Sequence, residues 1–72
     1  MTHDSVWLVV FDDYDMYQPT ISAFKSKDKA IEYFKFLVKD VCDEKPSKED
    51  IYLMAHEYAN GVIYITSVKL EE

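Results

Sequence analysis

Seventy-two residues, 49% of them hydrophobic and eleven aromatic, suffice for one small core and exclude a multidomain or low-complexity chain. Fourteen acidic residues against eight lysines and no arginine give a net charge of −6, which repels nucleic acid and anionic lipid and argues against direct binding of DNA, RNA or a membrane. The lone Cys42 forms no internal disulfide, and the first apolar run is too short for a signal or a membrane span; the expectation is one cytoplasmic domain over residues 1–72.

Residues 1–5 are polar, and His3 among them has no partner in sequence. Val6-Trp-Leu-Val-Val-Phe11 reads as a strand whose two faces, Val6/Leu8/Val10 and Trp7/Val9/Phe11, are both apolar. A strand with one wet face alternates apolar with polar, so this one is expected centrally in a sheet and covered on both sides.

Asp12-Asp-Tyr-Asp-Met-Tyr-Gln-Pro19 is an acidic, aromatic connection. Its aspartates invite a calcium loop, but the sharp-turn glycine and closing glutamate are missing, so neither metal nor cofactor is expected. The plain reading is a solvated loop. The alternative is an acidic recognition loop in which Tyr14 and Tyr17 supply aromatic anchors beside Asp12, Asp13 and Asp15. Thr20–Phe24 alternates as a half-exposed second strand, antiparallel to the first.

From Ser26 the period changes. Ala30, Ile31, Phe34, Leu37, Val38 and Val41 fall on one helical stripe, with Lys27, Asp28, Glu32, Lys35, Lys39 and Asp43 opposite. Ser26 is a good N-cap, and Pro46 stops the helix by about residue 44. The segment after it is ambiguous. Ser47-Lys-Glu-Asp50 resembles a capping box, and Ile51, Met54, Ala55, Tyr58 and Ala59 keep helical spacing. Asn60-Gly61 favours a two-residue type I′ hairpin turn, and Val62–Val68 is strongly β-prone, which tips the reading to a strand. That turn pairs Ala59 with Val62, Glu57 with Tyr64, Leu53 with Val68 and Ile51 with Leu70, leaving Glu71 and Glu72 as a charged tail.

The expected fold is α+β in ββαββ order: a four-stranded, mostly antiparallel sheet with one helix packed on one face. One helix covers only part of one face, so some of Trp7, Val9, Phe11, Tyr52, Met54, Tyr58, Ile63 and Ile65 must point away from it. Trp7, Tyr52, Met54, His56 and Tyr58 are the expected residues of a protein interface on that open side.

Val6-Trp-Leu-Val-Val, the Asp-Tyr-Asp connection, Ile21-Ser-Ala-Phe24 and Ser26-Lys-Asp-Lys-Ala-Ile-Glu-Tyr together resemble small accessory proteins encoded by bacteriophages, over about the first forty-five residues. The shared motif is Phe-x-Ser-x-x-x-Ala at the entry to the helix. The resemblance implies no catalytic residues. It implies an inhibitor of a host enzyme or defence system, of the anti-CRISPR or anti-restriction kind.

The functional expectation is therefore a non-enzymatic module that binds a host protein with a basic, nucleic-acid-binding surface. Asp12, Asp13, Tyr14, Asp15 and Tyr17, with Asp43, Glu44, Glu49 and Asp50 around the helix end, are its candidate partner-binding residues. The alternative is a self-associating structural or regulatory module, a homodimer through the open sheet face. Enzymatic chemistry is not expected: His56 and Glu57 point to opposite faces of a strand, and no glycine-rich phosphate loop or Cys/His cluster is present.

Overall fold

The computed structural model describes residues 5–69; His3, for which the sequence offers no partner, and Leu70, Glu71 and Glu72, to which it assigned a strand pair and a charged tail, lie outside them. Four strands, β1 (Ser5–Asp13), β2 (Thr20–Phe24), β3 (Ala55–Tyr58) and β4 (Gly61–Lys69), form one antiparallel sheet in the order β2-β1-β4-β3. The helices α1 (Lys27–Cys42) and α2 (Lys48–Leu53) lie between β2 and β3 in sequence. The α+β fold and the ββαββ frame expected from the sequence are present, with α2 as a short addition.

The helix α1 forms where its stripe and caps place it. The Ser26 hydroxyl accepts from the Lys29 N–H, Asp28 sits in the positive first turn, and Lys39 sits in the negative last turn. Asp43 ends the helix in the left-handed region, φ 55°, its N–H donating 2.9 Å to the Lys39 carbonyl. Ala30, Phe34, Leu37 and Val38 are buried against Val9, Ile63 and Ile65 of the two inner strands.

The ambiguous segment resolves into both of its readings, one after the other. The capping box forms: the Ser47 hydroxyl accepts from the Asp50 N–H and an Asp50 carboxylate oxygen accepts from the Ser47 N–H, both at 3.0 Å. It opens one short helix, and Met54 at φ 56° turns the chain into β3.

The expected register of the last hairpin is corrected. Tyr58 pairs Gly61, Glu57 pairs Val62, His56 pairs Ile63 and Ala55 pairs Tyr64, so Ala59-Asn60 makes the turn. Neither turn residue has a positive φ, so the turn is not type I′. Gly61 is a strand residue, and close approach dictates its identity. A Cβ there would lie on the Asp12 carbonyl oxygen and 2.9 Å from both the Asp13 Cα and the Tyr58 hydroxyl. The slip is by two residues along β4, which preserves every face assignment in the hairpin.

Register decides which face each strand residue takes. Trp7, Val9 and Phe11 of β1 share a face with Ile63 and Ile65 of β4, with Phe24 of β2 and with His56 and Tyr58 of β3. That is the face α1 covers. Strand β1 is an inner strand as expected, but among the described residues helices cover only one of its sides. The other side carries Val6, Leu8 and Val10. The molecule is accordingly thin, 16 Å in its shortest dimension, about one helix on one sheet.

Candidate functional site

The uncovered face is built in cross-strand rows, because partners in a ladder point the same way. At one end Asp12, Val62 and Glu57 stand side by side across β1, β4 and β3. Next come Ile21, Val10, Tyr64 and Ala55, one from each strand, then Ala23, Leu8 and Thr66, and finally Val6 beside Val68. Apolar side chains dominate every row after the first. Val10 is buried among its neighbours, whereas Ile21 and Val68 are 57% and 47% exposed.

The charge pattern of this face is one-sided. Among the described residues its two charged positions, Asp12 and Glu57, are acidic, and none of the eight lysines lies on it. Lys25, Lys27, Lys29, Lys35, Lys39, Lys45 and Lys48 belong to the helices and their flanking turns, and Lys69 lies on the helix side of β4. The 14–19 connection leaves β1 at the same end as Asp12 and Glu57. There it presents Tyr14 and Tyr17, the latter 99% exposed, beside the exposed Asp15.

The interface residues expected from the sequence do not make this face. Trp7 and Tyr58 pack against the core from the helix side, with Lys27 Nζ 5.6 Å from the Trp7 ring centre. His56 is buried there too, Met54 packs against the core, and Tyr52 is exposed on α2. The reason is parity. Both faces of β1 are apolar, and the burial of Val9, Ile63 and Ile65 under α1 sends the even-numbered residues of β1 and β4 outward.

Nor do the candidate acids form one patch. Asp12 belongs to the open face, and Asp15 is free in the loop. Asp13 points to the helix side, where one carboxylate oxygen accepts the Tyr58 hydroxyl at 3.1 Å and the other accepts the Asp15 N–H at 2.9 Å. Asp43 pairs with Lys39 at 2.8 Å, and Glu44 and Glu49 are exposed around α2. Asp50 is committed to the capping box and to His56, whose Nδ1 lies 2.9 Å from its carboxylate.

Sequence reasoning set His56 against Glu57 and missed that pairing, six residues back. The Ser47–Asp50 box was the available signal, because it places the carboxylate at the start of a helix directly ahead of β3. His56 is 8% exposed and, among the described residues, its Nε2 has no hydrogen-bond partner. With Nε2 enclosed, the pair ties α2 to β3. The bond from His56 and the bond from the Ser47 N–H hold the Asp50 carboxyl below its ordinary range. Asp50→Ala should cost about 1.5–3 kcal/mol, as for hydrogen bonds to a charged group, and melt α2 first. Hydrogen exchange at the α2 amides checks this: unchanged protection there would remove Asp50 from that task.

Burial, and then the bond to Asp13, push the Tyr58 phenol up to about 12. The phenol stays protonated in the folded chain after it has ionised in the unfolded one. Stability should therefore hold below about pH 10 and fall as pH rises toward 12. Tyr58→Phe should flatten that fall in urea titrations across the same window. Burial, and then Glu44, raise the half-buried Cys42 thiol, which keeps it protonated and weakly nucleophilic near neutral pH.

Comparison with protein-family models finds no match, and neither curated proteins nor solved structures provide one. Among the described residues no helix is long and apolar enough to cross a membrane, and no group of three His, Cys, Asp or Glu side chains could hold a metal ion.

Proposed function

We propose that this chain is a small acidic protein-binding module, without catalytic chemistry of its own, that docks a second protein on its open sheet face. The supporting observation is the run of apolar rows on the side away from α1, from Ile21–Val10–Tyr64–Ala55 to Val6–Val68. Holding such rows in water forgoes about 25 cal/mol for each Å² of apolar surface that a partner could cover. The acidic row and the Tyr14–Tyr17 loop at one end extend the surface toward a basic partner. With the resemblance to bacteriophage accessory proteins, we read the binding as inhibition of a host defence or nucleic-acid-binding protein in the host cytoplasm. The bound module would occupy the basic surface that protein offers to nucleic acid. A homodimer through the same face is the second reading, favoured by the same apolar rows.

The test uses two variants chosen for exposure, so that the fold survives. One carries Ile21→Asp with Val68→Asp on the face. The other carries Tyr14→Ala, Asp15→Lys and Tyr17→Ala in the loop. Asp13 is left alone, because its bond to Tyr58 would confound the result. Captured proteins from a bacterial lysate are identified by mass spectrometry, and the mass of the free protein is read by light scattering. The face variant should lose a captured protein that wild type retains, and the loop variant should hold it more weakly. Identical capture by wild type and face variant, from a monomeric protein, would overturn the docking face. A wild-type dimer that the face variant makes monomeric selects the second reading.

A further inference from the structure

The geometry points to the occupant of this face: an amphipathic helix of the partner, apolar along one stripe and bearing Lys or Arg at the end that meets Asp12 and Glu57. This rests on the reading of the open face as a protein-docking surface. The argument begins with shape. Val10, which is buried, and the half-buried Leu8 and Tyr64 lie on the two inner strands, about 5 Å apart across the ladder. The outer strands add Ile21 and Ala23 from β2 and Ala55 and Glu57 from β3, so the apolar rows taper from four residues at Ile21–Ala55 to two at Val6–Val68. Beyond the widest row the apolar surface is two or three strands across, about 5–10 Å, which matches a helix about 10 Å in diameter better than a second broad sheet.

Length agrees. From the Val6–Val68 row to the Asp12–Glu57 row is six residues of strand, about 20 Å, which a helix of about 13 residues spans. The opposite face already accepts such an element, since α1 lies on it with sixteen residues. A helix on the open face would complete a three-layer sandwich.

Charge fixes the sign and the orientation. Asp12 and Glu57 flank Val62 in one row, about 10 Å apart by strand spacing, and no lysine answers them on this face. Among the described residues, a second copy stacked face to face would offer the same two acids and no lysine. The apolar stripe of its α1 is already buried in its own core. An occupant bringing its own cations to that end satisfies both carboxylates.

The experiment uses two synthetic 18-residue helical peptides with the same leucine stripe. One carries three lysines in its terminal turn and the other carries glutamates at those positions. Affinity is read by fluorescence anisotropy, and the site by amide shifts of the full chain. The lysine peptide should bind roughly tenfold tighter, as two exposed charge pairs allow, with shifts centred on Leu8, Val10, Tyr64 and Val68. Asp12→Asn with Glu57→Gln should abolish that preference while the leucine-dependent binding remains. Equal binding of the two peptides would overturn the inference, as would shifts confined to the helices or the 14–19 loop. Self-association that Val68→Asp abolishes would also overturn it, since the occupant is then a second copy. If neither peptide binds but the face variant still loses its captured protein, the helical occupant is wrong and the docking face stands. If that variant loses nothing, the docking face fails as well.

Discussion

Phe34→Ala should unfold the protein or leave it close to unfolding at room temperature. The ring is 0% exposed and is the largest fully buried side chain of the core, where α1 meets Val9 and Ile63. Deleting a buried phenylalanine ring costs about 3–5 kcal/mol through lost transfer energy and the cavity left behind. At about 0.05–0.15 kcal/mol per residue, a domain of this size has only about 4–11 kcal/mol to lose. Urea unfolding followed by circular dichroism should show the transition shifted to low denaturant or missing. Phe36→Ala is the internal control, because Phe36 is exposed on the outer side of the same helix and its loss should stay within about 1 kcal/mol. Similar losses at Phe34 and Phe36 would mean that α1 does not bury the face assigned to it.

Gly61→Ala should be the next most damaging, and for a reason the sequence does not announce. Tyr58 and Asp13 flank Gly61 on the same face and join over it through the bond from the Tyr58 hydroxyl to the Asp13 carboxylate. An added Cβ meets both groups, and it also meets the Asp12 carbonyl oxygen, which as backbone cannot swing aside. Relief requires β1 and β4 to separate at the end where their ladder closes, at a cost of about 1–3 kcal/mol, as for overpacking in a core. Gly61→Asn separates this cause from a turn requirement. Asparagine tolerates a left-handed turn position, so a mild effect would restore the type I′ reading, whereas steric exclusion makes asparagine as costly as alanine.

The contrast between these two sites indicates what the sequence carries. Ser26, the stripe through Phe34 and Val41, and Pro46 all agree on one helix, because capping, periodicity and chain termination act within a few residues of one another. The Ser47–Asp50 box was equally informative, but the Asn60-Gly61 pair outweighed it although the segment has room for both elements. A dipeptide rule reads glycine as a source of positive φ. Here glycine is present for closeness to β1, a contact forty-eight residues away along the chain, which local chemistry does not reveal.

The open face was legible as a necessity and not as a membership. A strand apolar on both sides, in a chain with one long amphipathic helix, announces that one side lacks a helix, yet Val6/Leu8/Val10 and Trp7/Val9/Phe11 are both wholly apolar. The pairing of Phe24 with Trp7, and the seating of α1 on Val9, Ile63 and Ile65, break that tie. Two polar groups pointed the same way. His56 and Tyr58 need hydrogen-bond partners when buried, and Asp50 and Asp13 supply them on the helix side.

Site-specific photocrosslinking tests the docking claim most directly. A benzophenone side chain replaces Val68 on the open face in one protein and Phe36 on the outer helix surface in another, and both are irradiated in a bacterial lysate. The docking face predicts a discrete protein adduct from position 68 that unlabelled wild-type protein competes away, and no matching adduct from position 36. An adduct from position 36 with none from position 68 would place the binding surface on the helices and contradict the open sheet face as its seat.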